Sequence, residues 1–536
     1  MKTEGYRADI DALRCIAVLG VVFYHFKIGP FQGGFIGVDV FFVISGYLIT
    51  GILLTGFRRG DLTVTDFYVR RFRRLMPALG ATISVSLLTA YFVFFPEDLA
   101  RHGFAAISSL LGASNLLFWH ESGYFDVSSI RKPLLHTWSL SVEFQFYAVW
   151  PFLIMLLAKA HNLTSAIALT ALSLTSLTLA EIVLRADSAA AFFMMPSRMW
   201  EFAVGGLLIF VESPRSSRSQ IFSGIYIAGF LIVMGTFVVY RPTTTFPGFA
   251  ALLPVLGTAA MIYSGPRAPI ARVISASPAR FIGKISYSLY LVHWPALVFA
   301  IYLGGDLSKA ATAALLLATL LCTILLHRLV EEPLRRTPRR PLHSYQFRIA
   351  FTVSASIVIA VGSYAYTTGG LLAFRASNDD VIRALNAYDV ASAKTRVWQR
   401  YAEFEQHVDF TTSKRRVLLV GDSQSADLLN MWIDAGLDKD VEVITNRVYY
   451  ECGVPFLPES RRLSFWSREN PLTMKAPALI DVCNMQMARL MSLPALKTAD
   501  VVVVAFLWKE FARPYVATAL AALQAEVLGR MLVVGN

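Results

Sequence analysis

The sequence predicts a polytopic α-helical membrane protein that carries a small α/β domain at its C-terminal end. Two observations point to the membrane part. Of the 536 residues, 55% are hydrophobic and the mean hydropathy is +0.53, above the apolar share of a soluble domain. Apolar stretches of about 20 residues, enough to cross a bilayer core, recur from Ile10 to about Tyr366. A third observation marks the C-terminal part. From Arg375 onward, charged and amide residues with short strand-like runs replace the long apolar blocks, so a boundary falls near Gly369 and Gly370. The expected division is a membrane domain over 1–340, a linking transmembrane helix over 341–370 and an extracytoplasmic domain over 371–536.

Spans are predicted at 10–28, 33–55, 75–95, 137–158, 163–184, 198–212, 219–239, 246–263, 285–303, 308–330 and 347–366. The stretch 103–119, GFAAISSLLGASNLLFW, is short and dotted with Ser, Gly and Asn, so charge must decide whether it crosses. If it does not, and the N-terminus is inside, the basic loops all become cytoplasmic, as the positive-inside rule requires. Those loops hold Arg58, Arg59, Arg70, Arg71, Arg73, Arg74, Arg215, Arg218, Arg267, Arg272, Arg280, Lys284, Arg335, Arg336, Arg339 and Arg340. A crossing would turn every later basic loop outward. The stretch is therefore expected as a helix or re-entrant piece on the outer side, with the tail in the periplasm of a bacterial inner membrane or its equivalent. The net charge of +12 belongs to these loops and to anionic membrane lipids, and calls for no nucleic acid. No cleavable signal peptide is expected, because the first apolar segment contains Arg14 and His25 and leads at once into another span. In an oxidising compartment Cys452 and Cys483 are either a disulfide or two buried thiols. Cys15 and Cys322 lie inside spans and read as packing.

Ionisable residues within spans are costly and normally face a cavity. Arg14 and His25 are eleven residues apart, which returns them to within about 20° of one helix face and about 16 Å apart along the axis. One stripe thus offers an anion-binding cation toward the inside and an imidazole toward the outside; the bland alternative is a snorkelling arginine and a hydrogen-bonded core histidine. Arg70, Arg71, Arg73 and Arg74 form a cluster at the inner mouth of the third span, suited to phosphate oxygens or equally to lipid headgroups. Toward the outer side lie Asp39, His136, Glu143, Arg198 and Glu201. The seven-residue spacing of His136 and Glu143 places an imidazole and a carboxylate on one face, an arrangement that favours proton abstraction. Polar helix–helix contacts are the alternative. His293, Glu331 and Glu332 are weaker signals of the same kind.

The segments YRADIDALRCIAVLGVVFYHF, GGFIGVDVFFVISGYLIT, RRFRRLMPA, SGYFD, PLLHTWSLSVEFQFY, ISYSLYLVHWP and VEEPLRR, in that order over about residues 5–340, closely resemble the acyltransferase-3 family. The resemblance implies a ten-helix acyl-transfer core that takes acyl-CoA, typically acetyl-CoA, as donor and needs no metal. It implies glycan acceptors such as lipopolysaccharide O-antigen, peptidoglycan or exported oligosaccharides. Residue by residue it points to Arg14 and His25, to the arginines 70–74, and to Glu143. Where many members read S-V-E-E-Q-F this chain has Phe144, which removes a second carboxylate. The tail segment VLLVGDSQSADLL resembles the first block of SGNH-type esterases, with Ser423 at the nucleophile position. Gln424 stands where fused versions carry His, Trp508 stands near the expected Asn block, and no D-x-x-H appears before Asn536. The tail is therefore expected as a partial SGNH-like domain, from a truncated sequence or with a glycan-binding role only. The expected function is O-acyl transfer across the membrane, with His25, together with Glu143, as general base on the acceptor hydroxyl or as a transient acyl carrier, and Arg14 with the cluster holding the donor. A transporter or flippase with a glycan-binding tail is the rival, weakened by the lack of an inverted repeat or Gly/Pro-broken helix pair.

Overall fold

The computed structural model describes residues 6–122, 131–211, 219–335, 341–372, 374, 390–509 and 511–534. The predicted loop residues Arg215, Arg218, Arg336, Arg339 and Arg340, most of the SGYFD segment, and Arg375 lie outside them. The chain forms two compact units, Met1–Asn378 and Asp379–Asn536.

The first unit is helical: α1 (Ala8–His25), α2 (Gly37–Arg59), α3 (Val64–Val93), α4 (Pro96–Leu110), α5 (Ser114–Glu121), α6 (Trp138–Leu157), α7 (Asn162–Ala186), α8 (Ser188–Phe193), α9 (Met195–Leu207), α10 (Ser219–Val239), α11 (Leu252–Ser264), α12 (Pro269–Ile274), α13 (Ser277–Lys284), α14 (Ser286–Gly304), α15 (Lys309–Leu326), α16 (Glu332–Arg335) and α17 (Pro341–Thr367). Among the described residues, eight helical segments are long and apolar enough to cross a membrane, so this is a multi-pass membrane protein. Three predicted spans fall outside that set. The first is α1, whose 18 residues include Asp9, Asp11 and Arg14. The span at 198–212 is the 13-residue α9. The last corresponds to the shorter apolar stretch Thr352–Thr367 within α17.

The third span begins earlier than expected. A reciprocal capping box between Thr63 and Asp66 starts α3 at Val64, so the arginine cluster rides on the helix itself instead of a loop before it. The stretch 103–119 breaks at Gly112, whose φ of 70° suits glycine. The 15-residue α4 is about 22 Å long and α5 is shorter, so neither covers a hydrocarbon core.

Backbone contact sets the centre of the bundle. A Cβ added at Gly46 of α2 would lie 2.0 Å from the Phe202 carbonyl oxygen, and one at Gly205 of α9 would lie 2.1 Å from the Val43 carbonyl oxygen. Small residues let these helices touch, as is usual for packing in lipid. Helix α6 joins them through Trp150 Nε1, which donates to Thr50 Oγ1 at 2.8 Å, and through Phe202, stacked between Phe42 and Phe146.

The second unit is α/β: α18 (Val390–Glu405), β1 (Arg415–Gly421), α19 (Ser423–Asp434), β2 (Val441–Arg447), α20 (Glu459–Arg468), α21 (Pro471–Lys475), α22 (Ala478–Ser492), α23 (Pro494–Thr498), β3 (Val501–Ala505), α24 (Arg513–Glu526) and β4 (Arg530–Val534). The strands form a parallel sheet in the order β2-β1-β3-β4. Apolar clusters cover both faces, which explains the unbroken Val and Leu runs of β1 and β3. The long β2-to-β3 crossover is closed by the Cys452–Cys483 disulfide.

Gly46→Val should abolish the folded membrane unit, because the clash falls on backbone that no side-chain shift relieves. Gly80→Ala in α3, where an added Cβ meets nothing within 4 Å, should leave the thermal unfolding midpoint in detergent unchanged or raised. Equal midpoints for the two variants would contradict the close crossing.

Candidate active site

Helix α1 carries a distinct polar group at each end. At its N-terminal end, Arg14 faces a cavity of about 860 Å³ whose lining includes Arg70, Arg71, Arg73 and Arg74 of α3, Lys284 of α13 and Arg335 of α16. Basic side chains outnumber the acidic ones there, Asp11, Glu331 and Glu332. Glu331 is buried on a π-helical turn after α15 and accepts from Ser288 Oγ at 2.6 Å and from the His327 ring at 2.9 Å. A smaller cavity of about 90 Å³ shares Arg14, Leu48, Arg71, Arg74, Ser286 and Tyr287 with the first. It runs on past Ser45, Glu143 and Tyr147 to Ser139 and Tyr290. There Ser45 Oγ donates to Glu143 Oε1 at 2.5 Å, and the Tyr147 hydroxyl donates to the same oxygen.

At the other end of α1, His25 Nδ1 lies 3.1 Å from His293 Nε2, with the two ring planes 10° from parallel and Trp294 against His25. The His293 Nδ1 faces the Tyr290 carbonyl oxygen at 2.7 Å. The Tyr290 ring touches both His293 and His136, and its hydroxyl reaches Ser139 Oγ at 2.7 Å and donates to the His136 carbonyl at 2.9 Å. Tyr290 thus belongs at once to the smaller cavity and to the histidine group.

These positions correct one expected pairing. His136 sits on a turn before α6, in ring contact with Tyr290 and His293, while Glu143 meets Ser45 and Tyr147. The shared helical face did not bring them together because the first of them precedes the helix. Glu143 also bonds to Tyr147 one turn on in place of His25. The tyrosine is legible in hindsight as the i+4 neighbour on the α6 face. Ser45 and Tyr290 come from other helices and carried no sequence signal.

Residues 7–328 match the acyltransferase-3 family, described as Acyltransferase domain. The chain is a member of that family. Peptidoglycan O-acetyltransferase OatA of Listeria monocytogenes is 35% identical over 352 residues, covering 62% of this chain and 56% of that protein. O-acetyltransferase OatA of Staphylococcus aureus is 31% identical over 360 residues, covering 63% and 58%. BcsY of Komagataeibacter xylinus is 31% identical over 342 residues, 62% of this chain and 85% of BcsY. The chain thus spans a little over half the length of the OatA relatives. No solved structure matches it.

Asp39, Arg198 and Glu201, expected near the outer site, form a separate cluster in this acyltransferase unit. The Arg198 guanidinium lies 3.3 Å from Asp39 and 3.0 Å from Glu201, with all three side chains essentially inaccessible and the rings of Phe42, Trp138, Phe192 and Phe246 around the guanidinium. This joins α2 to α9 beside their glycine crossing. Among the described residues, no group of three or more His, Cys, Asp or Glu side chains is placed to hold a metal ion.

In the second unit, Ser423 is exposed at the start of α19, beyond the C-terminal end of β1. The sheet order reverses between β1 and β3 at that edge, where parallel α/β sheets place their ligands. Asp422 accepts from the backbone N–H of Gln424 at 2.9 Å and of Leu507 at 3.0 Å, and burial pushes its carboxyl above the usual range. Trp508 is buried against Phe506. His407, the one histidine in this unit's sequence, is exposed after α18, and among the described residues it makes no contact with Ser423.

Arg198→Met should strand two buried carboxylates and lower stability by about 3–5 kcal/mol, read as a fall in the thermal midpoint of the purified protein. Adding Asp39→Asn and Glu201→Gln should restore part of it; no fall in the single variant would remove the cluster from the stability of this unit.

Proposed function

We propose that the membrane unit transfers an acyl group, acetyl in the first instance, from an acyl-CoA donor on the cytoplasmic side to a glycan hydroxyl on the outer side of a bacterial inner membrane. The observation that carries this reading is that an arginine-lined cavity and a histidine pair occupy opposite ends of α1, about 16 Å apart by helix rise, with a polar cavity running from one toward the other. Arg14, Arg71 and Arg74 would hold the phosphates, since guanidinium forks match phosphate oxygens and stay charged when partly desolvated. Ser45, Glu143 and Tyr147 hold one another and line the route of the donor's arm. His25 takes the proton from the acceptor hydroxyl while the hydroxyl oxygen bonds to the acyl carbon; the carbon–sulfur bond breaks, and the thiolate leaves as the thiol with the proton returned from His25.

The second unit supports an outer location through its disulfide, since such bonds persist in oxidising compartments. An SGNH-like role for Ser423, with the N-terminus of α19 offering N–H groups to an oxyanion, needs a base that the described residues do not bring to it. Positioning the glycan is the role proposed for this unit. A cell-wall glycan as acceptor is supported by the similarity to Peptidoglycan O-acetyltransferase OatA of Listeria monocytogenes.

Membranes containing the protein should move radiolabel from acetyl-CoA to endogenous glycan. His25→Ala should cut the rate by about 100-fold or more with the protein still in the membrane. Arg71→Ala with Arg74→Ala should instead raise the donor KM and make it less sensitive to salt. Full transfer by His25→Ala would remove that imidazole from the chemistry.

A further inference from the structure

The two-histidine contact has only one consistent proton arrangement. A carbonyl oxygen carries lone pairs and no proton, so the ring nitrogen facing it must be the N–H. His293 Nδ1 lies 2.7 Å from the Tyr290 carbonyl oxygen and 3.2 Å from that of Leu289, which fixes neutral His293 with its proton on Nδ1. Its Nε2 is then a bare acceptor. The atom that approaches it, His25 Nδ1 at 3.1 Å, must therefore donate, and the lone pair of neutral His25 is left on Nε2. Among the described residues, His25 Nε2 takes part in no hydrogen bond. His25 remains partly accessible, whereas His293 is fully buried.

We infer that His293 is a positioning residue: it sets the tautomer and ring orientation of His25 so that Nε2 is the basic, outward nitrogen of the acyl-transfer reaction. This rests on the transfer function proposed above. The chain of donors is Nδ1–H of His25 to Nε2 of His293, and Nδ1–H of His293 to the backbone of α14. It performs the orienting task of the carboxylate in a Ser-His-Asp triad, which holds an imidazole in one tautomer without taking its proton. When Nε2 of His25 accepts the hydroxyl proton, the imidazolium keeps its Nδ1–H bond to His293, and the positive charge meets a lone pair. Nothing moves through His293 itself. The near-parallel planes of the two rings and the tilted Trp294 ring against His25 hold the pair in register. The fold contributes as well. Helix α14 presents the Tyr290 ring toward His136 and its carbonyl toward His293, so a single turn meets both imidazoles.

Two variants separate positioning from packing. Glutamine at position 293 can donate from its amide to the Tyr290 carbonyl and accept from His25, while alanine can do neither. His293→Ala should lower kcat by about 100-fold with the acetyl-CoA KM within about twofold of wild type, and His293→Gln should recover at least a tenth of the wild-type rate. A second readout does not depend on turnover. In the purified, ¹⁵N-histidine-labelled protein, NMR spectra compared with His25→Gln should assign to His25 a protonated Nδ1 and a bare Nε2, and His293→Ala should convert this to a tautomer mixture. Wild-type rates in His293→Ala would overturn the inference, as would a His25 protonated on Nε2. If the wild type transfers nothing while the tautomer result holds, the transfer reading has failed and the orientation of His25 has not.

Discussion

The contact between α2 and α9 at Gly46 and Gly205 is the constraint on which the arrangement of the membrane unit depends. Two backbones within carbonyl contact leave α2 no freedom to rotate, and α2 supplies Phe41, Ser45 and Leu48 to the smaller cavity. Rotation would take Ser45 away from Glu143 and Asp39 away from Arg198 together. The buried charge cluster and the glycine crossing therefore act on the same pair of helices. One supplies close approach; the other penalises any slip, because separating the cluster would leave ionised groups in a medium that solvates them poorly.

Much of this was legible in the sequence, and for identifiable reasons. Hydropathy placed most spans, since the bilayer demands length and apolarity from each. The R-x10-H spacing placed Arg14 and His25 at opposite ends of one face, and the structure puts them at the two sites. The arginine cluster was read as a phosphate or lipid-headgroup site on the approach to a helix, and the structure places it on the helix, lining a cavity; the Thr63–Asp66 capping box, present in the sequence, starts that helix nearly two turns before the cluster. What could not be read is the partnership of residues far apart in the chain. His25 and His293 are separated by 268 positions and Ser45 and Glu143 by 98. No periodicity within a helix encodes which neighbour a face will meet.

In the second unit, the strand–turn–helix around Ser423 was legible because β1 is a continuous apolar run ended by Gly421 and Asp422. Its setting was not. Asp422 is occupied by two backbone N–H groups, one from each side of the sheet's reversal point, so its carboxylate ties the loop after β3 to the start of α19 and is committed to structure. The exposed serine hydroxyl is presented by that tie. The two cysteines left open as a disulfide or free thiols are joined, and they close the crossover that a parallel sheet needs between β2 and β3.

The contrast between the two polar groups deep in the membrane unit shows why a histidine pair suits the C-terminal end of α1. The Asp39–Arg198–Glu201 cluster buries a guanidinium and two carboxyl groups where water does not reach, and such a group is held only by the mutual attraction of its members. A carboxylate beside His25 would share that dependence before any substrate arrived. A second imidazole, itself satisfied by a backbone carbonyl, orients His25 with neutral groups alone, so no ion is stranded in the resting state. In the proposed transfer, charge would arise on His25 only while a proton is in transit, next to an acceptor already aligned to receive its Nδ1–H. The cost of burying an ion is thereby confined to the step that uses it.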